Sequence, residues 1–315
     1  MSPEATVPIE ALVQRRVIIE QRHLAREKNS GGQPSFPVET LTGAAGNFAI
    51  LFSSHLESPP EFFFMSYLTC LGNILSGRVT LDSELKPQPR LFTIILGESA
   101  DDRKSTALSK TVKFFKKTLN EFSTCWGIGS AEGLQQKFSE CDNVLLCFDE
   151  FKQFVSKCKI QSSVLLPCVT SLFESNTYEN RTRKSTVKRS KSHLSLLAAS
   201  TTGTYETCWD SSFTDIGFNN RLFIVPGSAA RKFSLPEKIP EHDNQRMRQE
   251  LQKILSFAAH TPEISLDQEA RLRYHSWYLA QEAGSVHTKR LDTYALRLMI
   301  LLALNGRQDT VSPGI

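Results

Sequence analysis

Two stretches of this 315-residue chain place residues where phosphate chemistry needs them. In the first, LFTIILGESADDRKSTAL over residues 91–108, an apolar run stops at Gly97 and Lys104, Ser105 and Thr106 open a helical stretch. A lysine in that position can reach the β- and γ-phosphates of a nucleotide, the adjacent hydroxyl can hold Mg²⁺, and loop N–H groups with a helix N-terminus can wrap the anion. The candidate cradle is Gly97, Glu98, Ser99, Ala100, Asp101, Asp102, Arg103, Lys104, Ser105 and Thr106. In the second, NVLLCFDE over residues 143–150, a continuous hydrophobic run delivers Asp149 and Glu150. If both runs are parallel strands, their carboxyl ends share the edge where ligands of open α/β sheets sit. Asp149 can then hold Mg²⁺ through its hydration shell, and Glu150 can orient and polarise an attacking water.

The first stretch departs from the usual phosphate-loop spacing. Lys104 lies seven positions after Gly97 rather than six, and Arg103 stands where a second glycine normally precedes the lysine. An ordinary strand–loop–helix connection is the competing reading. Arg103 lacks the backbone freedom of glycine. The expectation is therefore a loop one residue longer that still brings its N–H groups to phosphate, with Lys104 turned toward the Asp149 strand end.

Three further features bear on the same chemistry. LSLLAASTT over residues 194–202 reads as a buried strand whose terminal Thr201 can sense a γ-phosphate or hold the lytic water, although strand ends often carry threonine without such a role. Arg221 precedes the apolar LFIV run and can contact phosphate in its own subunit or act as a finger on a neighbour's. Between residues 173 and 194, Arg181, Arg183, Lys184, Lys188, Arg189 and Lys191 put six cations in eleven residues. Alternating Thr, Ser and Val there suggest a β-hairpin presenting its charges to a nucleic-acid backbone, against the plainer reading of a solvated surface loop.

These residues need a scaffold, and composition permits one. With 40% hydrophobic and 22% charged residues in 35.4 kDa, a full α/β core is affordable. No run of about 18 apolar residues and no secretory signal is present, so the expected compartment is the cytoplasm. Seven scattered cysteines without a CxxC pair point to buried, reduced thiols. A net charge of +4 permits a nucleic-acid partner without requiring one.

In chain order the pattern predicts an amphipathic helix over residues 9–28 and a flexible break at 29–34. Helices follow over 41–54 and 61–75, then the loop and an amphipathic helix from 104. A short strand precedes a helix capped by Ser130. After the strands already named come helices over 244–259, 265–283 (capped by Ser265 or Asp267) and 288–304, and a frayed polar tail over 305–315. Arg290 and Arg297, seven residues apart, share a face of the last helix. The division expected is an N-terminal helix and linker over 1–34, a core over 35–235, and a C-terminal helical lid with tail over 236–315.

The segments SFPVETL, LGESADDRKSTAL, GSAEGL, LLCFDEF, LSLLAAST and GFNNRLFIV resemble an uncharacterised P-loop ATPase family found beside or fused to primase domains in plasmids, phages and bacterial genomes. The resemblance covers about residues 36–304, and that family tolerates Arg before the loop lysine. It implies a RecA- or AAA-like α/β fold, a parallel sheet of about five strands, with ATP and Mg²⁺ held by Lys104, Ser105, Asp149 and Glu150. It also implies helicase-like work on DNA, in replication of or defence against mobile elements, with a primase or other replication protein as partner. A second similarity is to ring helicases of the minichromosome-maintenance type, in which a pore hairpin touches DNA and a lid arginine, here Arg290, meets nucleotide. It implies a homo-oligomer, with a hexameric ring as one form open to it and the ring size not set by the sequence. The absence of a primase or zinc segment before the core, and of a winged helix after it, suggests the motor alone or a shortened member. A nucleotide-gated switch or loader, and a degenerate scaffold that hydrolyses nothing, stay open as alternatives.

Overall fold

A computed structural model describes residues 36–98, 102–181, 186–229, 233–281 and 289–314. The expected helix over 9–28, the break at 29–34 and residues Ser99, Ala100, Asp101, Arg183 and Lys184 lie outside them.

A 3₁₀ turn at Val38–Thr40 leads into α1 (Gly43–Leu56) and α2 (Pro60–Leu75). Pro60 sits at a first helical position, where its missing N–H costs nothing. Next come β1 (Thr80–Leu81), β2 (Phe92–Leu96), α3 (Lys104–Thr118), β3 (Thr124–Trp126), α4 (Ala131–Glu140) and β4 (Asn143–Phe148). Ser130 caps α4 as expected, its hydroxyl accepting from the Gly133 N–H at 3.2 Å. Helices α5 (Phe151–Cys158) and α6 (Leu165–Leu172) precede β5 (Tyr178–Arg181) and β6 (Thr186–Arg189), which pair antiparallel. The core closes with β7 (His193–Ser200), α7 (Thr202–Thr207), α8 (Ser211–Asp215), a 3₁₀ turn at Asn219–Arg221 and β8 (Phe223–Pro226). Beyond it lie α9 (Glu241–Ala259), β9 (Glu263–Leu266), α10 (Gln268–Leu279), α11 (Leu291–Gly306) and β10 (Thr310–Val311).

Five strands form one parallel sheet in the order β3-β4-β7-β2-β8. Its three central strands β4, β7 and β2 are mostly apolar and almost wholly buried because helices cover both faces; Thr93, His193, Ser195 and Ser200 are the buried polar residues among them. All eight residues of β7 are buried. The architecture is an α/β one: helices around a five-stranded parallel sheet, with one strand between β2 and the acidic strand β4.

The C-terminal region differs from the expectation in two places. Residue Ser265 lies in β9, and the cap of α10 is Asp267, whose Oδ1 accepts from the Ala270 N–H at 2.7 Å. The tail is not frayed: β10 pairs parallel with β9, which pairs parallel with β1. A three-stranded sheet thus joins the end of the chain to the segment before β2, a pairing across some 180 residues that local pattern cannot reveal. At the end of α11, Asn305 is buried, accepts from the Ala45 N–H at 2.8 Å and donates to the Thr42 carbonyl at 2.8 Å. The residues expected to fray thereby hold the start of α1.

Replacing Asn305 with Ala strands the buried Ala45 N–H and takes one of two donors from the Thr42 carbonyl, which keeps the Gly46 N–H at 2.9 Å. The expected loss is about 2–4 kcal/mol of stability in urea unfolding, and a loss under about 0.5 kcal/mol would mean that the tail does not fasten α1.

Candidate nucleotide site

The sheet register brings the chemistry-bearing residues to one edge. Leu96 of β2 is level with Ser200 of β7, and Phe148 of β4 is level with Ala198 of β7. Gly97, Thr201, Asp149 and Glu150 therefore all emerge at the carboxyl ends of adjacent strands. With strands spaced about 4.8 Å, the loop strand and the acidic strand stand about 10 Å apart across β7, room for a phosphate and a hydrated cation.

Lys104 is the first residue of α3, and its buried side chain folds back so that Nζ donates to the Gly97 and Glu98 carbonyls at 2.9 and 2.6 Å. Burial lowers its pKa, and the negative charges of Asp102, Glu150 and Glu98 oppose that shift.

Arg103 corrects one expectation. It does occupy the left-handed region, φ 51° and ψ 34°, the conformation a glycine there would supply. The strain of a side chain in that region, about 1 kcal/mol, is offset by neighbours. Arg103 Nη2 donates to Glu57 Oε2 at 3.1 Å, and the Ser58 hydroxyl donates to the Arg103 carbonyl at 3.3 Å. Glu57 is itself buried, and its other oxygen accepts from the Phe233 N–H.

Asp102 is 2% exposed and sits inside the loop. Its Oδ2 accepts from the Glu98 N–H and its Oδ1 from the Ala229 N–H, each at 2.5 Å. Gly97 is required by this carboxylate, because a Cβ there would lie 2.7 Å from Asp102 Oδ2. The loop thus closes on its own acid, an arrangement with no signature in the spacing of the motif.

On the facing elements Ser105, Asp149 and Glu150 are exposed, and among the described residues none makes a side-chain hydrogen bond or ion pair. Partial burial raises the pKa of Asp149. Thr201 caps α7: its hydroxyl accepts from the Thr204 N–H at 3.2 Å and donates to Thr204 Oγ1 at 2.8 Å. No group of three or more His, Cys, Asp or Glu side chains gathers among the described residues. Two free oxygen donors, Ser105 and Asp149, fit Mg²⁺, which keeps several waters and takes only one or two protein ligands beside substrate phosphates.

Arg221 and Arg290 are not brought to this edge. Arg221 precedes β8, which starts level with Thr93, so it lies at the amino edge of the sheet. Over five residues of strand that is about 17 Å from the loop. Its Nη1 donates to the Gly217 carbonyl at 2.7 Å. Arg290 donates to Asn220 Oδ1 at 3.0 Å and pairs with Glu174. A role for either on the nucleotide of its own subunit is excluded by this placement.

That amino edge holds two buried arginines: Arg297, which the sequence placed on a face of the last helix without a partner, and Arg90, which sequence reasoning missed. Arg297 of α11 lies 3.9 Å from the Phe173 ring centroid and donates to the Arg90 and Phe173 carbonyls, both at 2.8 Å. Arg90, fully buried, donates to the carbonyls of Phe173 at 3.2 Å and Glu174 at 2.6 Å, and stands 3.1 Å from His193 Nδ1. Burial lowers both guanidinium pKa values, that of Arg90 to about 9 and that of Arg297 to about 10. The available signal was an arginine inside each of two apolar runs, PRLFTII and YALRLMI. Between them they grip both stems of the basic hairpin, which leaves the sheet at this edge. Within the hairpin Arg181 ends β5, Lys188 pairs with Glu179 at 3.8 Å, Arg189 pairs with Asp142 at 3.6 Å, and Lys191 is exposed.

If Gly97 and Asp102 press on each other as described, their substitutions couple. Gly97→Ala alone displaces the carboxylate; in an Asp102→Ala background the same change costs less, with an expected coupling of about 1–3 kcal/mol in a double-mutant cycle read by urea unfolding. Strictly additive costs would mean that the contact does not exist.

No family model matches this chain, and no curated protein does. Among solved structures it is similar to a full-length MCM homolog from Methanopyrus kandleri, with a TM-score of 0.50 and 14% identity over 99% of this chain and 60% of that one. The chain thus spans about three-fifths of that neighbour's length, and at this identity what the two share is the fold.

Proposed function

We propose that the chain is a Mg²⁺-dependent ATPase whose hydrolysis of ATP drives helicase-like movement on, or remodelling of, nucleic acid. The observation that carries this reading is the convergence, at one sheet edge, of Lys104 on a helix N-terminus with the uncommitted oxygens of Ser105, Asp149 and Glu150. A hydrolytic phosphate site needs this set: a cation for the β- and γ-phosphates, oxygens for the metal, and a carboxylate for the water. Ser105 and Asp149 would hold Mg²⁺, which supplies charge neutralisation at the phosphates when bound. Glu150 takes the water proton and aims the lone pair in line with the leaving group. Lys104 exchanges its two carbonyl partners for phosphate oxygens, and Thr201 marks the position beside the γ-phosphate. The name of the solved neighbour, an MCM homolog, is in keeping with such a motor.

Arg221 and Arg290 face away from the chain's own loop, so in this reading they act on a neighbouring copy's nucleotide in a closed ring. The cations proposed to bind nucleic acid are Arg181, Arg183, Lys184, Lys188, Arg189 and Lys191, of the basic segment at the same edge, with the 236–315 region as lid. A primase or other replication protein is the proposed partner. The loop closed by Asp102 favours, as a second reading, a slow nucleotide-gated switch.

Steady-state ATPase assays with single- and double-stranded DNA test the proposal. Glu150→Gln is expected to lower kcat about 10²–10⁴-fold, and a wild-type rate no higher than that of Lys104→Ala would sink it. Mixing inactive Lys104→Ala with inactive Arg221→Ala is expected to restore part of the rate, since some interfaces then pair an intact loop with an intact arginine; no recovery would remove the trans role.

A further inference from the structure

Helix α3 carries a second set of cations away from Lys104. Lys110, Lys113 and Lys117 fall within about 60° of arc on the helix and span about 10 Å along it. Together with Lys238 and Arg248 they line a groove of about 470 Å³. Its walls include Phe52, Leu56 and Ile239, apolar surface along which lysine stems can lie while their ammonium groups stay in water. Two acids, Glu237 and Glu241, are present, and Glu241 is taken by Arg248 at 3.1 Å. Among the described residues none of the four lysines has an ion-pair partner, and all four are exposed. The hairpin differs: there Lys188 and Arg189 each have an acid within 4 Å.

We propose that this groove binds the phosphate backbone of a single nucleic-acid strand. Phosphates recur along a nucleic-acid strand and bind lysine by charge, with counterion release as the driving force. A row of three lysines spanning about 10 Å can follow successive phosphates of such a strand. The groove's charge stands on its own; that the polyanion is nucleic acid rests on the function proposed above.

The test uses the full chain and a fluorescent oligo(dT) of about 20 nucleotides, with anisotropy measured across a salt series. In the triple variant Lys110→Ala, Lys113→Ala, Lys117→Ala, alanine preserves the helix. Affinity is expected to fall at least tenfold at low salt, and the slope of log K against log salt to become shallower by about 2, about 0.7 for each lost contact. A triple Lys→Gln variant gives the same readout should the alanine version unfold, with melting temperature as the check on folding. Unchanged affinity and slope overturn the groove while leaving the ATPase reading intact. Displacement of a labelled poly-glutamate peptide without any loss of oligonucleotide binding also overturns it, in favour of an acidic protein partner. Loss of oligonucleotide binding in a chain that hydrolyses no ATP keeps the groove and removes the motor.

Discussion

Everything at the carboxyl edge depends on β7 being the common neighbour of β2 and β4. Its backbone is hydrogen-bonded on both sides, and its eight residues are buried. Register is fixed on both flanks, since a slip by one residue would turn each buried side chain to the opposite face. That constraint, more than any contact within the loop, sets the distance between Lys104 and the Asp149–Glu150 pair. It also ties the two ends of the molecule together, because β7 begins at the base of the basic hairpin and ends at Thr201.

The amino edge is organised by arginine. Arg90 and Arg297 surround Phe173 and satisfy carbonyls that the chain leaves exposed as it turns from α6 toward the hairpin. Their burial is tolerable because each planar guanidinium spreads its charge and donates in several directions, and that of Arg297 also stacks on the Phe173 ring. Arg290 extends the cluster to Glu174 and Asn220. Helix α11 therefore reaches the hairpin stems through its polar residues and α1 through Asn305, so the C-terminal helix bridges regions far apart in sequence.

The sheet was legible in the sequence because its central strands are short, predominantly apolar stretches bounded by polar residues, a pattern helices on both faces produce. Asp149 and Glu150 were legible because they end such a run. What was not legible depends on partners distant in the chain. Arg103 adopts a glycine-like backbone because Glu57, 46 residues upstream, holds its side chain. Ser265 reads as a helix cap until β10 claims its segment for a strand. Arg221 and Arg290 read as nucleotide ligands because chemistry suggests it, yet the direction of β8 carries Arg221 to the other edge and Asn220 draws Arg290 there with it.

The Asp102 carboxylate gives the loop an unusual starting point. Because the Glu98 and Ala229 N–H groups already have an anionic acceptor, capture of an oxyanion there is a substitution of one negative group for another. The incoming ligand gains only the difference between its own hydrogen bonds and those it replaces, while a displaced carboxylate left nearby repels it. Selectivity follows from that balance: a singly charged anion has little to offer over the resident acid, whereas a polyphosphate carrying its own divalent cation can neutralise Asp102 and take its donors at once. The loop would then discriminate among anions by the charge of the complex they form with metal, before any contact with a base or sugar is made.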